Sequence, residues 1–271
     1  MHKSTSPSKT KDAIAPLITR AMIRDALRRL GVRAGDIVLA HSSMKSFGRV
    51  RGGPDAVIGA LLDCVGRRGT LLLPTFTGTA AMDAAHPPVF DARRTPGWTG
   101  LISEVFRARP DVIRSLHPTH SVAAWGADAD ALIEGHEFAT TPCGWETPFG
   151  RLIRRGGKVL FLGADLESCT LFHSFEEFAD VPYHIQREFV DATVIDAAGR
   201  KKIVRIKLHW WNPAAPRKFG VLEPLLARKR ILRKGRVGNA VLRLLDARRC
   251  HEITMPLLGN NPLLLVASPT T

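Results

Sequence analysis

Apolar residues fall along the chain in two recurring patterns. Asp36 to Ala40 (DIVLA), Gly69 to Pro74 (GTLLLP), Val122 to Trp125 (VAAW) and Lys158 to Leu162 (KVLFL) are short, almost unbroken apolar runs bounded by Gly, Pro or Ser. Such runs suit strands covered on both faces, as in an α/β sheet. Between them lie segments of helical period. After Thr19, Met22, Ile23, Leu27 and Leu30 share one face and Gly31 stops the helix. A second helix starts near Pro54 and Asp55, and a third covers Ala127 to Glu134. In TLFHSFEEF, Leu171, Phe172, Phe175 and Phe178 again recur at helical spacing. Tyr183–Ile195 and Lys201–Leu208 alternate instead, predicting an antiparallel pair turning at Asp196 to Gly199, an appendage on a parallel core.

The remaining stretches carry weaker patterns. Residues 1–14 are polar and basic and predict a disordered, dispensable arm, leaving 15–271 as a single domain. Met82 to Gly97, rich in Pro, Asp and Arg, predicts a long excursion at a substrate rim, and Thr99 then caps a helix. FGVLEPLLARKRILRKGRVGNAVLRLLDARR predicts two amphipathic helices broken at Gly235 to Gly238, and the tail from Pro256 is apolar without period.

With 45% hydrophobic residues among 271, the chain can bury a sizeable core. It has no apolar run long enough for a membrane span and no segment of signal-peptide type, so a cytoplasmic protein is expected. Cys64, Cys143, Cys169 and Cys250 lie far apart with no C-x-x-C, which argues against a zinc site or a disulfide framework. The formal charge of +14 calls for an anionic partner. Its cations crowd into RKKIVRIK and ARKRILRKGR without any nucleic-acid-binding signature, so a phosphate-bearing small ligand is favoured over nucleic acid.

Candidate chemistry concentrates after the KVLFL strand. His173 and Glu176 are three apart on the predicted helix and can meet, with Glu177 one position further on. A carboxylate beside an imidazole fixes its tautomer and raises its basicity, as a general base working near neutral pH requires. Ser42, Ser43 and Ser46 follow another strand and precede a helix, a turn whose hydroxyls and backbone N–H groups suit an anion. His117 and His120 have H-x-x-H spacing but no third ligand in frame, so no metal is expected, and Cys169 reads as core rather than nucleophile.

Taken in order, HSSMKSFGRVRGGPDAVIGALLDCVGRRGTLLLPTFT, FDARRTPGWTGLISEVFRARPDVIRSLHPTHSVAAWG, TPFGRLIRRGGKVLFLGADLESCTLFHSFEE and GRVGNA resemble the aminoglycoside 3-N-acetyltransferase family. The resemblance implies a three-layer α/β/α sandwich with a mostly parallel central sheet. It implies acetyl-CoA as co-substrate and a small-molecule amine as acceptor, with His173 as general base and Glu176 as its partner. Ser42, Ser43 and Lys45 would follow the pantetheine and phosphates, while Thr75, His120 and Ser121 would line the reacting centre. The stretch Cys169 to Glu177 departs from the family's usual wording, and the basic charge is unusual for an enzyme of polycations. An amino sugar of a surface polysaccharide precursor is therefore an alternative acceptor.

Overall fold

The computed structural model describes residues 17–267, so the expected arm at 1–14 lies outside the described residues. The first segments alternate as read from the sequence: α1 (Arg20–Leu30), β1 (Ile37–Ser42), a short α2 (Met44–Phe47), α3 (Gly53–Val65) and β2 (Thr70–Pro74). Thr19 caps α1 by accepting the Met22 N–H. There follow β3 (Val89–Asp91), α4 (Leu101–Arg107), β4 (Ile113–Arg114), β5 (Val122–Gly126), α5 (Ala129–Ile133), α6 (Pro148–Arg154), β6 (Lys158–Leu162) and α7 (Thr170–Phe178). The chain closes with β7 (Ile185–Ile195), β8 (Lys201–His209), α8 (Glu223–Arg228), β9 (Leu232–Val237), β10 (Ala240–Asp246) and α9 (Ala247–Asn260).

Seven strands form one sheet in the order β4-β5-β2-β1-β6-β10-β9. Its centre, β2-β1-β6, is parallel, while β5 and β10 run against it. The outer β4 and β9 turn back into the central direction, so all but β5 and β10 point one way. Because successive strand side chains face opposite ways, each central strand feeds two cores. Val38, Ala40, Leu71, Leu73, Leu160 and Leu162 pack with α1, α3 and α4. Leu39, Leu72, Val159 and Phe161 pack on the other face with α6, α7 and α9, completing three layers.

Three local readings change. Of the two predicted final helices the first survives only as α8, Glu223–Arg228, and the rest is a β9–β10 hairpin joined by Gly238 and Asn239, with Gly238 at φ 55°. A Gly-Asn pair between two runs is a hairpin signal, and here it outweighs the helical spacing. The excursion at 82–97 supplies β3, which adds to β7 and β8 as a second sheet. Thr99 does not cap α4; its hydroxyl donates to the Pro74 carbonyl and Gly100 takes the cap position. The tail beyond Pro256 continues α9 as far as Asn260.

Some of the exposed charge lies where the central strands begin. Arg33, Arg67, Arg68, Arg154 and Arg155 are exposed in the segments that enter β1, β2 and β6. Those segments lie at the opposite end of the sheet from Ser42, Pro74 and Leu162, where the same strands finish.

Candidate active site

A cavity of about 580 Å³ opens where the parallel strands end, as expected for a sheet of this type. His41 and Ser42 reach it from β1, Phe76 from the segment after β2, and Ala164 from the turn after β6. α7 contributes His173, and β8 delivers His209. The turn that aims α7 depends on Gly163, at φ 69°, where a Cβ would lie 2.3 Å from the Ser46 Cβ. Asp165 then accepts the Glu167 N–H and steers the chain into the helix.

His173 Nδ1 lies 2.7 Å from Glu176 Oε2. Glu176 is completely buried, and its charge is opposed by desolvation. Hydrogen bonds from His173 and His184 outweigh that opposition and hold its carboxyl well below the usual range. An ionised carboxylate only accepts, so His173 Nδ1 carries the hydrogen and Nε2 is left with a free lone pair. Burial lowers the His173 pKa from the ordinary imidazole value, and the Glu176 bond works against that fall. The ring is therefore neutral at physiological pH, the form a base needs.

Several partners of this pair come from segments with no motif. His184, after α7, approaches the same Glu176 Oε2 at 3.1 Å, and Arg217 Nε lies 2.8 Å from Oε1. His209 stands 4.7 Å from both His173 and His184, centroid to centroid, and stacks on Trp211. Trp98 packs edge-on against Trp211, and together with Trp210 they make one wall of the cavity. Ligand nitrogens of His173, His184 and His209 come within 4.8 Å of one another, close enough to suggest a metal site. Both nitrogens of His184 are turned onto carboxylates, however, at Glu176 and Glu177, which makes it a poor lone-pair donor.

The residues expected along the cofactor path divide. Ser42 and His120 line the cavity. Ser42 Oγ and His41 Nε2 are buried with no hydrogen-bond partner among the described residues, although both residues line the cavity. His41, stacked on Phe161, is pushed down to about 3 by burial and stays neutral. Ser43 Oγ accepts from Ser46 and does not line the cavity, and Lys45 is exposed on α2. Thr75 and Ser121 lie beneath the floor, fully buried and bonded to each other. Glu167 is the one acidic side chain among the lining residues, and its oxygens accept the N–H groups of Phe219 and Gly220. Cys169 is buried with its thiol pushed up to about 12 by desolvation, which removes it as a nucleophile.

Residues 39–258 match the sequence family described as aminoglycoside 3-N-acetyltransferase. The chain belongs to that family. One similar relative is the aminoglycoside N(3)-acetyltransferase VII of Streptomyces paromomycinus, 40% identical, with 64% of this chain and 64% of the relative covered. The match thus spans somewhat less than two thirds of that curated relative. Among solved structures of this kind, AAC-IIIb as a binary complex with CoASH superposes with a TM-score of 0.76 at 27% identity. That alignment covers 94% of this chain and 100% of the other. AAC-VIa bound to sisomicin gives a TM-score of 0.77 at 29% identity, over 90% of this chain and 98% of the other. Among the described residues no helix is long and apolar enough to cross a membrane.

Proposed function

We propose that this protein transfers the acetyl group of acetyl-CoA to the 3-amino group of an aminoglycoside, with His173 as general base and Glu176 as its partner. The observation that carries the reading is the 2.7 Å bond between them, which commits Nδ1 and frees Nε2 at a cavity-lining residue. Nε2 takes a proton from the amine as its nitrogen attacks the thioester carbonyl carbon. The C–N bond forms, the C–S bond breaks, and the proton leaves with the coenzyme A thiolate. The Ser42 hydroxyl and the His41 ring, on cavity-lining residues and unpartnered at Oγ and Nε2, are the polar groups proposed to turn toward the thioester oxygen.

Coenzyme A is expected to enter over Ala164. A second concavity of about 360 Å³ shares that residue and continues past Ser46, Gly163 and Asn239 to Arg243. Lys45 belongs to the same short helix as Ser46 and is exposed for a phosphate. A cytoplasmic site of action accords with use of acetyl-CoA and with cysteines that are all free and buried.

Part of the basic charge stands clear of a polycationic acceptor. The arginines entering β1, β2 and β6 are separated from the cavity by the length of a strand, roughly 17–20 Å. That is about twice the screening length of physiological salt, roughly 8 Å. Recognition at the cavity falls to Trp98, Trp210 and Trp211, whose faces attract ammonium groups and stack on sugar rings.

Thiol release from acetyl-CoA over a panel of aminoglycosides with the 3-amino group free or blocked tests the reading. Turnover confined to free 3-amines, and lost in His173→Ala, supports it. Turnover that ignores the 3-amino group, or survives in His173→Ala, overturns it.

A further inference from the structure

His184 is 1% exposed in its side chain and lies against His173 with ring centroids 5.0 Å apart and planes 16° from parallel. Its Nδ1 is 3.1 Å from Glu176 Oε2, the same oxygen that holds His173. Its Nε2 is 3.5 Å from Glu177 Oε1, ion-pair distance without hydrogen-bond alignment. Glu177 Oε1 is itself fixed by the Cys143 N–H at 2.8 Å. The His184 carbonyl accepts from the Trp210 N–H, so the residue also ties the dyad helix to the tryptophan segment.

A carboxylate oxygen faces each nitrogen of this buried ring, at 3.1 and 3.5 Å, a setting that favours the protonated form. Arg217 Nη2 lies 3.2 Å from Nδ1, and a guanidinium only donates. With the ring protonated that approach is a contact between two cations sharing the Glu176 carboxylate, whereas a neutral ring would accept from Arg217 at Nδ1. The charges close locally, with Glu176 and Glu177 against Arg217 and a protonated His184.

We propose that His184 is a positioning residue for His173, a buried imidazolium that fixes the shared Glu176 carboxylate and places a positive charge directly beside the base.

The groups facing His184 all bear on this role. From α7 come Glu176, Glu177 and His173, from the end of β8 His209, and from the segment before α8 Arg217. Burial by itself would drive the His184 proton off, yet the adjacent Glu176 and Glu177 carboxylates outweigh it and raise the pKa. The charge on His184 then acts on its neighbour by lowering the His173 pKa, in the same direction as Arg217 does. Glu176 is thus prevented from over-stabilising the protonated base, and His173 rests neutral while retaining its hydrogen bond.

This inference rests on His173 being the base, but its test reads protonation without turnover. Nitrogen-15 histidine spectra of the full-length enzyme, free of substrates at pH 7.5, should show both His184 nitrogens protonated and His173 neutral with its hydrogen on Nδ1. A neutral His184 overturns the proposal even if His173→Ala abolishes activity. The variant His184→Gln keeps a donor to Glu176 and removes the charge. With folding checked by circular dichroism, its acid limb in kcat/KM should move to higher pH, and kcat should fall about tenfold, less than the roughly 10²–10⁴ attached to a general base. KM for acetyl-CoA should be kept. A role in packing alone would loosen Glu176, remove its support for protonated His173, and leave the limb in place or lower; that result sinks the proposal. If His184→Gln does not fold, the wild-type spectra alone decide.

Discussion

Thr75 Oγ1 and Ser121 Oγ lie 2.9 Å apart beneath the cavity, and Arg114 Nε reaches both, at 3.1 and 3.0 Å. Arg114 also donates to the carbonyls of Thr75 and Thr95. The guanidinium thereby ties β4, the end of β2 and the segment after β3 into a floor. Burial lowers its pKa to about 10, so it stays charged and depends on these acceptors. Replacing Thr75 by Val removes one acceptor at constant shape and should cost about 1–3 kcal/mol in denaturant unfolding. Thr75→Ser should restore most of it. An unchanged midpoint in Thr75→Val would show that the floor does not depend on this bond.

The His173–Glu176 pair predicts non-additive kinetics. His173→Ala should lower kcat by about 10²-fold or more, Glu176→Gln less, and the double variant little beyond His173→Ala. Independent, additive losses would mean that the two do not act as a unit.

The pH profile has a definite sign. A base must be deprotonated, so kcat/KM falls as pH drops through the His173 pKa. Because burial lowers that pKa below the ordinary value of about 6.5, the acid limb should lie below 6.5. A limb above 6.5 that disappears in His173→Ala would contradict the geometry.

The tryptophan wall can be separated from the chemistry. Trp211 stacks on His209 and meets Trp98 edge-on, at 5.1 and 6.2 Å. An ammonium contact of about 0.5–2 kcal/mol makes Trp211→Ala raise the acceptor KM about two- to thirtyfold. The KM for acetyl-CoA should be unchanged, and a shift confined to acetyl-CoA would place the wall on the cofactor side instead.

Gly163 offers a test of the turn that aims α7. An alanine there combines a φ of 69° with a Cβ 2.3 Å from that of Ser46. Gly163→Ala should lose about 1–3 kcal/mol of stability. A variant as stable as the wild type would show that the β6–α7 turn has slack.

The central strands and the dyad were legible because each is local. An unbroken apolar run identifies Lys158–Leu162, and three-residue spacing places Glu176 beside His173. The closing hairpin was obscured because β9 buries only its end residues, Leu232 and Val237, and so shows no alternation. Charged residues between them fitted an amphipathic helix equally well. His184, His209 and Arg217 converge on Glu176 and His173 from a turn, a strand end and a loop, and no fixed spacing announces such a meeting. Thr75 and Ser121 sit close to the centre in the chain, yet strand alternation turns them beneath the floor rather than into the cavity.

β9 closes one side of the seven-stranded sheet with a rim that no other strand covers among the described residues. Bare backbone donors and acceptors along such a rim invite another chain to add itself. Arg233, Lys234 and Arg236 stand exposed along it, so a second copy laid alongside would set cations against cations. The opposite rim, β4, has two residues, too short a template to recruit a partner. The sheet is thus kept from propagating by repulsion at one border and by brevity at the other.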